Sequence, residues 1–423
     1  MAFEGGLLGG GAGGGAGGGA GGGAGGGAGG GAGGGAGGGA GGGAGGGAAN
    51  ALGDCFASPL FCEGMNRHRA ACMDPADQSA AWSLPMRTNR SSHRHVYRWE
   101  PWVRSYLCAQ VLNSNLRFHT YDSGSRGANI EPRNLEILGL DDAEWQTCLI
   151  VSLSTWMPGM RRRQHLATLV RPPQELFQEQ VKLVLDWADL REERLPEILT
   201  QIANCYAFWG TLIPLHAERL HFTRELVDAA VQFSMFVEMR FKHELACWRP
   251  TDYSPQVQPV VTTPGHGALP SGHSVEAYVI KEVLEGLLGM SAPYKGGQAK
   301  LHEQFERTAA RIATNRVVAG VHFPVDNVAG RLLGTALGRY FVFSCKGTDE
   351  PAGTFLGREY VFHGDTCPHA IEFDPWRQPL DGMKGVYSRV GDPFPDIPAP
   401  ESVLKELWRS ARGELERLGL PFN

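Results

Sequence analysis

Three short segments of the sequence contain the residues best suited to chemistry, namely residues 242–250, 270–273 and 315–326. Between them they offer three cations, a hydroxyl, a glycine amide, two histidines and a carboxylate. These groups belong to Lys242, Arg249, Ser271, Gly272, His273, Arg316, His322 and Asp326. Such a set is suited to holding a tetrahedral oxyanion, such as phosphate or vanadate, and to performing acid–base or nucleophilic chemistry on it.

The first segment places two cations seven residues apart. Seven residues are close to two helical turns, so a single helix would present Lys242 and Arg249 on one face. Arg249 offers a planar fork that can bind two oxygens, whereas Lys242 offers a compact point charge. Pro250 disfavours helical conformation at the residue before it, which predicts that Arg249 lies at the helix end.

The second segment precedes a helical pattern, in which valine or leucine recurs every four positions from Val275 to Leu287. Ser271 is therefore the expected helix cap, and Gly272 allows the backbone to approach a ligand closely. The free N–H groups of a helix N-terminus bind anions. This arrangement predicts that His273 stands in the first turn and points at the bound anion.

In the third segment Arg316 precedes His322 by six residues, and Asp326 follows that histidine by four. Pro324 is tolerated at the start of a helix, so Asp326 is expected in its opening turn. A carboxylate there can accept the proton of one imidazole nitrogen, which raises the basicity of the other nitrogen. The free nitrogen could then attack phosphorus or coordinate vanadium.

The order and spacing of these segments resemble the type 2 phosphatidic acid phosphatase and vanadium haloperoxidase superfamily. Its pattern is Lys-x6-Arg-Pro, then Pro-Ser-Gly-His, then Ser-Arg-x5-His-x3-Asp. Residues 242–326 match this pattern, and the flanking helices extend the likeness to residues 170–345. Asn315 departs from it, because the family usually has serine there, and an amide then replaces a hydroxyl.

The resemblance implies a role for each residue of the site. Ser271 and the Gly272 amide would bind the oxygens of the anion, and His273 would be the acid–base residue. His322 would be the phosphate nucleophile or the vanadium ligand, oriented by Asp326. The oxygens would be neutralised by the three cations, Lys242, Arg249 and Arg316.

The same pocket serves two reactions in the family, and we favour a vanadium-dependent haloperoxidase that oxidises halide with hydrogen peroxide. His266 supports this choice, because histidine at that position is frequent in bromide-oxidising members. Lipid phosphatases of the family span the membrane, whereas the longest apolar stretch here, Val328–Phe343, contains two arginines. The alternatives are a soluble acid phosphatase, which hydrolyses phosphomonoesters through a phosphohistidine at His322, and a non-catalytic oxyanion-binding protein.

The chain of 423 residues divides into four expected regions. Residues 1–49 contain ten Gly-Gly-Gly-Ala repeats, which cannot bury apolar surface and are expected to be disordered. Residues 50–170 would pack on the helical core at 171–345, and residues 346–423 would form a loop-rich extension. That extension ends in a helix over 398–418 that could dock on the core or on a second subunit, which would make a homodimer.

The expected fold class is mainly α, with a helical bundle around the oxyanion site. Amphipathic patterns predict helices that include residues 196–209 and 302–318. The net charge of −5, with no basic stripe, argues against nucleic-acid binding. The nine cysteines form no Cys-x-x-Cys pair, and the N-terminus lacks a secretory signal. These features favour a cytoplasmic protein with reduced thiols.

Overall fold

The computed structural model describes residues 101–122, 149–155, 164–202, 205–216, 218–290, 292–346, 359–380, 382–390 and 403–420. The predicted disordered tail, residues 1–49, lies outside the described residues. The chain divides into two units, residues 1–104 and 105–423. The first unit is described only at residues 101–104, where a helix begins.

The structure is mainly α-helical, which confirms the predicted fold class. Two short 3-10 turns, Trp187–Leu190 and Pro255–Val257, extend the helical segments. The ten helices of the described residues are α1 (Pro101–Ser114), α2 (Gln174–Asp186), α3 (Arg191–Thr200), α4 (Tyr206–Trp209), α5 (His221–Leu245), α6 (Pro250–Tyr253), α7 (Gly272–Leu287), α8 (Gly296–Val318), α9 (Pro324–Lys346) and α10 (Val403–Arg417).

A five-stranded sheet lies beside the helices, and the sequence analysis did not anticipate it. Its strands, in spatial order, are β1 (Leu116–Asp122), β2 (Leu149–Thr155), β3 (Gln164–Val170), β4 (Glu359–Phe362) and β5 (Tyr387–Val390). Only the β3–β4 pairing is parallel; the other three are antiparallel. Residues 166–170 of β3 are buried without alternation, as expected for a central strand covered on both faces.

The helices α7 and α9 form the centre of the bundle, and a stripe of glycines lets them approach closely. Gly330, Gly334 and Gly338 recur every four residues on the face of α9 that meets α7. A β-carbon on Gly330 would lie 2.7 Å from the β-carbon of Ser274. The backbone N–H of Ser271 donates to the carbonyl of Asp326 at 2.9 Å. The N-terminal ends of the two helices are therefore fixed side by side.

One predicted helix is wrong. The pattern over 196–209 predicts a continuous helix, but α3 ends at Thr200 and α4 begins only at Tyr206. The end of α3 leaves the backbone carbonyl of Gln201 free to accept a hydrogen bond from another helix, as described below. The predicted helix at 302–318 is confirmed and begins earlier, at Gly296.

The helix that leads to the site, α5, takes its N-terminal cap from the far end of the chain. Its preceding residue, Leu220, has no capping side chain. Glu414 of α10 accepts instead, from the backbone N–H groups of Phe222 at 2.8 Å and Thr223 at 2.9 Å. The hydroxyl of Thr223 also donates to Glu414 at 2.9 Å. A buried carboxylate thus satisfies the first free N–H groups of α5 and interacts favourably with the helix dipole.

We expect Glu414→Ala to lower the free energy of unfolding by about 1–3 kcal/mol, because buried N–H donors lose their acceptor. Thermal or urea unfolding followed by circular dichroism measures the change. Glu416→Ala is the matched control, since Glu416 is exposed and lies 3.8 Å from Arg412 in a weak surface pair. Equal stability of the two variants would show that the cap contributes nothing.

Candidate functional site

Lys242 lies in the last turn of α5 and is buried. Its ammonium donates to the carbonyl oxygens of Gly267 and Ala268, at 3.5 Å each, and makes a shorter bond to Pro270. Burial, against the opposing charge of Glu238 and together with the charge of Arg249, lowers the pKa of Lys242 to about 8. The lysine therefore holds the loop that leads into α7, and it is mostly charged at pH 7 but loses its charge above about pH 8.

Arg249 does not share a helix with Lys242, so the predicted single helix face is wrong. The helix α5 ends at Leu245 because Ala246 takes a left-handed conformation, with φ of 46°. Arg249 instead lies directly before Pro250 and caps the short helix α6. The two cations nevertheless lie close together. Besides desolvation, both lower the pKa of His266, and both donate hydrogen bonds to backbone carbonyls of the loop before α7.

The guanidinium of Arg249 is buried and contacts two of the three predicted histidines, His266 and His322. Its Nη1 donates to the carbonyl of Val321 at 2.7 Å and lies 2.9 Å from Nε2 of His322. Its Nη2 lies 3.2 Å from Nδ1 of His266, and its Nε donates to the His266 carbonyl at 3.0 Å. Burial lowers the pKa of Arg249 to about 10, so it stays charged at neutral pH.

His322 and Asp326 form the predicted pair. Nδ1 of His322 lies 2.9 Å from Oδ2 of Asp326, and the same oxygen accepts the backbone N–H of Phe323. An arginine N–H can only donate, so Nε2 of His322 accepts from Arg249 and Nδ1 carries the proton. Burial and the charge of Arg249 hold the pKa of His322 well below its ordinary value. The imidazole is therefore neutral, and an incoming oxyanion would compete with Nε2 for Arg249.

The N-terminus of α7 is built as predicted, with Ser271 directly before the helix and Gly272 as its first residue. Ser271 is fully buried, and its hydroxyl has no hydrogen-bond partner among the described residues. A β-carbon on Gly272 would lie 2.6 Å from Oε1 of Glu238. A side chain at position 272 would therefore have to displace the carboxylate of Glu238.

His273 and Arg316 meet at Gln201, in the break after α3. Nε2 of His273 donates to the backbone carbonyl of Gln201 at 3.1 Å. The side-chain oxygen of Gln201 accepts from Arg316 Nη2 at 2.9 Å and from Asn315 at 3.1 Å. Burial, then the charge of Arg316, lowers the pKa of His273 to about 3. Asn315 also donates to Glu197 at 2.9 Å, so it orders the polar wall behind Arg316.

Two carboxyl groups at the site, Glu238 and Glu276, were missed by the sequence analysis. Glu238 lies one turn before Lys242 on α5, and Glu276 lies one turn after His273 on α7. Helical spacing from those predicted residues could have found both. Burial raises the pKa of Glu238 to about 7 and that of Glu276 to about 8. Near neutral pH, both groups can therefore carry a proton.

His266 lies at the solvent side of this cluster. Its ring is exposed, and Nδ1 contacts Arg249 as well as the carbonyl of Gly267 at 3.2 Å. Desolvation and the charges of Lys242 and Arg249 lower the pKa of His266 to about 4. The ring is therefore a neutral base at neutral pH.

The donor set fits a tetrahedral oxyanion such as phosphate or vanadate. Besides burial, all three cations lower the pKa of His273 in the first turn of α7, so they lie near that helix N-terminus, and His322 has a neutral ring nitrogen beside Arg249. Several buried polar atoms there lack hydrogen-bond partners among the described residues, and each donor could serve an anion oxygen. The unpartnered donors are the hydroxyl of Ser271, Nε of Arg316 and Nε2 of Gln201.

Comparison with known families agrees with this geometry. Residues 227–347 match the family model described as the PAP2 superfamily, which confirms the resemblance of the motif region. Members of that superfamily include phosphatases and haloperoxidases, so the match supports an enzyme and leaves the reaction open. Comparison with curated proteins gives no match.

Two solved structures show a distant likeness. A bacterial vanadium-dependent iodoperoxidase is 17% identical over 38% of this chain and 47% of that chain, with a TM-score of 0.30. A transmembrane PAP2-type phosphatidylglycerolphosphate phosphatase from Bacillus subtilis is 19% identical over 38% of this chain and 74% of that chain, with a TM-score of 0.24. Neither likeness is close enough to distinguish the reactions. Among the described helices, none combines the length and hydropathy that a membrane crossing requires.

We expect sulfate to bind more weakly as the pH rises from about 6 to about 9. Over this interval Lys242 loses a positive charge, while Glu238 and Glu276 each gain a negative one. All three changes disfavour an anion, so the affinity should fall by at least about tenfold. Sulfate keeps its own charge over the interval, which makes isothermal titration calorimetry a direct measurement.

Glu238→Gln should flatten this pH dependence, because one of the ionising groups is removed. Glu218→Gln is the matched control, since Glu218 is exposed outside the site. A sulfate affinity that is constant over the whole pH interval would contradict the assigned electrostatics.

Proposed function

We propose that this chain is a vanadium-dependent haloperoxidase, an oxidoreductase that oxidises halide, with bromide preferred, using hydrogen peroxide. The observation that carries the proposal is the contact of His266 with Arg249, at 3.2 Å, on the open side of the site. A neutral imidazole at that place could hydrogen-bond hydrogen peroxide that enters from solvent.

The residues of the chain have separate tasks in this proposal. Lys242, Arg249 and Arg316 would neutralise vanadate oxygens, while the Ser271 hydroxyl and the Gly272 amide would donate hydrogen bonds. Nε2 of His322 would hold vanadium, because its neutral ring has a lone pair available and Asp326 fixes its tautomer. When bound, vanadate would supply a Lewis-acid centre that activates peroxide towards halide.

Proton transfer falls to residues that line the anion space. His266 would hydrogen-bond peroxide at the solvent side. Glu238 and Glu276, whose pKa values are raised by burial, would return protons within the site. His273 would respond to the anion, because a negative charge beside it opposes the burial that now lowers its pKa.

A second candidate is a hydrolase of phosphomonoesters, and the buried carboxyls favour it. In that reaction Nε2 of His322 attacks phosphorus, the ester oxygen leaves, and a phosphohistidine forms. The leaving oxygen needs a proton, which protonated Glu238, Glu276 or His273 could supply. Water then releases phosphate. Two carboxyls beside the cations also weaken the retention of a permanent anion, which suits a product that must depart.

We expect His322→Ala to abolish turnover in both reactions, because the variant lacks the vanadium ligand and the nucleophile. The protein is dialysed against EDTA and phosphate-free buffer and divided, with orthovanadate added to one half. Each half is assayed for peroxide-dependent bromination of a phenolic dye and for phosphomonoester hydrolysis. His243→Ala is the matched control, because His243 is exposed on α5.

Bromination that requires vanadate supports the haloperoxidase. Hydrolysis inhibited by vanadate, without repeated bromination, would replace it by the phosphatase. Normal activity of His322→Ala in either assay would refute the site.

His266→Phe should change the ratio of bromide to chloride oxidation by about tenfold, because a neutral base that contacts Arg249 is replaced by an apolar ring. The ratio of kcat/KM values for the two halides is the measurement, with His243→Phe as the control. Identical ratios in the wild type and in His266→Phe would remove the main support for the haloperoxidase.

Three further proposals concern the regions of the chain, its location and its oligomeric state. We propose that residues 171–345 are the catalytic core, flanked by the regions 50–170 and 346–423, with residues 1–49 as a tether. A cytoplasmic location is a further proposal, with which the free thiols of Cys205, Cys247, Cys345 and Cys367 are consistent. Homodimer formation through α10 is also a prediction; its Leu404 and Leu407 are buried, whereas Leu418, just beyond the helix, is exposed.

A further inference from the structure

A cavity of about 900 Å³ lies between α3, α8 and the segment 372–378. We call it the Arg194 cavity, because Arg194 of α3 lines it, together with Trp187, Phe208, Arg311 and Trp376. Its volume is in the range of pockets that bind small organic molecules. No residue assigned to the oxyanion site by the sequence lines it.

Gln201 joins this cavity to the oxyanion site. It lines the cavity, yet its side-chain oxygen binds Arg316 and its backbone carbonyl binds His273. Nε2 of Gln201 is buried and has no hydrogen-bond partner among the described residues. Only 1% of Gln201 is exposed. A molecule in the cavity would therefore contact a residue that also binds Arg316 and His273 of the oxyanion site.

Arg194 differs from the other arginines of the cavity. Arg307 pairs with Glu303 at 2.6 Å, Arg311 with Glu197 at 2.7 Å, and Arg377 with Asp374 at 3.2 Å. Arg194 has no ion pair within the described part of the chain. Its Nη1 makes only long bonds, at 3.4 Å each, to Thr314 and Asn315, and its buried Nε has no partner.

The charge around Arg194 leaves it available for an anion. Glu193 and Glu197 attract it, but both accept hydrogen bonds from Arg311, which repels it. Glu372, a carboxylate of the lining, accepts from the indole N–H of Trp187 at 3.3 Å. Partly buried arginine without a carboxylate partner is a strong site for a planar anion.

The walls of the cavity are suited to an aromatic ring. Trp187, Phe208 and Trp376 all line it, and the guanidinium of Arg307 already lies 5.4 Å from the centre of the Trp376 ring. Aromatic rings and arginine planes stack favourably on other aromatic rings. The lining therefore combines flat apolar surfaces with one available cation.

We propose that the Arg194 cavity binds the organic part of the substrate, and that this part is an aromatic ring carrying an anionic group. The ring packs against Trp187, Phe208 and Trp376, while the anionic group binds Arg194. The assignment of this ligand as a substrate rests on the proposed function. An aromatic acid would be the acceptor of halogen in the first reaction. In the second reaction the ester would be an aryl phosphate whose ring carries a further anionic group for Arg194.

The test is the binding of 4-hydroxybenzoate to the full chain, measured by isothermal titration calorimetry. Arg194→Gln should weaken binding by at least about tenfold, because the partner of the carboxylate is lost. Trp187→Leu should also weaken the binding of 4-hydroxybenzoate. Unlike Arg194→Gln, this variant keeps the hydrogen bond between Arg194 and Asn315. Arg240→Gln is the matched control, since Arg240 lies on α5 outside the cavity. Sulfate titration of each variant shows whether the oxyanion site is intact.

Two further ligands and one further variant separate the alternatives. Cyclohexanecarboxylate should bind more weakly because its ring is not aromatic, and benzyl alcohol should bind more weakly because it carries no charge. His322→Ala should retain 4-hydroxybenzoate binding. Equal affinities of the wild type, Arg194→Gln and Trp187→Leu would overturn the proposal. It would also be overturned if binding were lost in His322→Ala and retained in Arg194→Gln, since the acid would then occupy the oxyanion site.

Turnover distinguishes the two possible substrates. Bromination of 4-hydroxybenzoate, with a KM that Arg194→Gln raises, would support an aromatic acid as the acceptor of halogen. Hydrolysis of 4-carboxyphenyl phosphate, with a KM that Arg194→Gln raises, would support an aryl phosphate as the ester. Binding that depends on Arg194 and Trp187, without either turnover, supports the cavity and refutes the proposed function.

Discussion

The burial of three cations in one small space is the constraint on which the rest of the site depends. Lys242, Arg249 and Arg316 are each at most 3% exposed, although charges are costly to remove from water. Backbone carbonyls compensate part of this cost, since Lys242 donates to the loop before α7 and Arg249 donates to Val321 and His266. The loops that supply these carbonyls are thereby fixed around the anion space, so the cations organise the chain as well as the ligand.

The positive charge also sets the protonation of the other groups. Each histidine of the site is held neutral by burial together with the nearby cations, so His322 keeps a lone pair on Nε2. The carboxyls respond to burial in the opposite direction, and the pKa of Asp326 is raised to about 7. An anion that enters would reverse part of this balance, because it favours the charged forms of the histidines. Ligand binding and proton transfer are therefore coupled.

Much of the site could be predicted because its chemistry resides in local sequence. The Ser271–Gly272 helix start and the His322–Asp326 pair are each complete within five residues, and helical geometry then fixes them. The mainly helical class followed equally from apolar periodicity. Arg249 was misplaced because the left-handed turn at Ala246 is unusual for alanine, so the residue type gave no signal of the helix end.

What the sequence could not predict depends on contacts between distant segments. The sheet joins a strand near residue 165 to a strand near residue 360, and a short buried strand cannot be told from a buried helical segment by its periodicity. Gln201 lies at the site only because α3 ends beside His273, which is 72 residues later in the chain. The glycines of α9 are visible in the sequence, but the face they present to α7 becomes clear only once both helices are packed.

The central claim is that a tetrahedral oxyanion binds at Nε2 of His322. A crystal structure of the protein soaked with orthovanadate tests it most directly. The account predicts vanadium within bonding distance of Nε2, with oxygens contacted by Arg249, Arg316 and the N-terminus of α7. Vanadate bound elsewhere on the protein, or a site that stays empty at saturating vanadate, would contradict it.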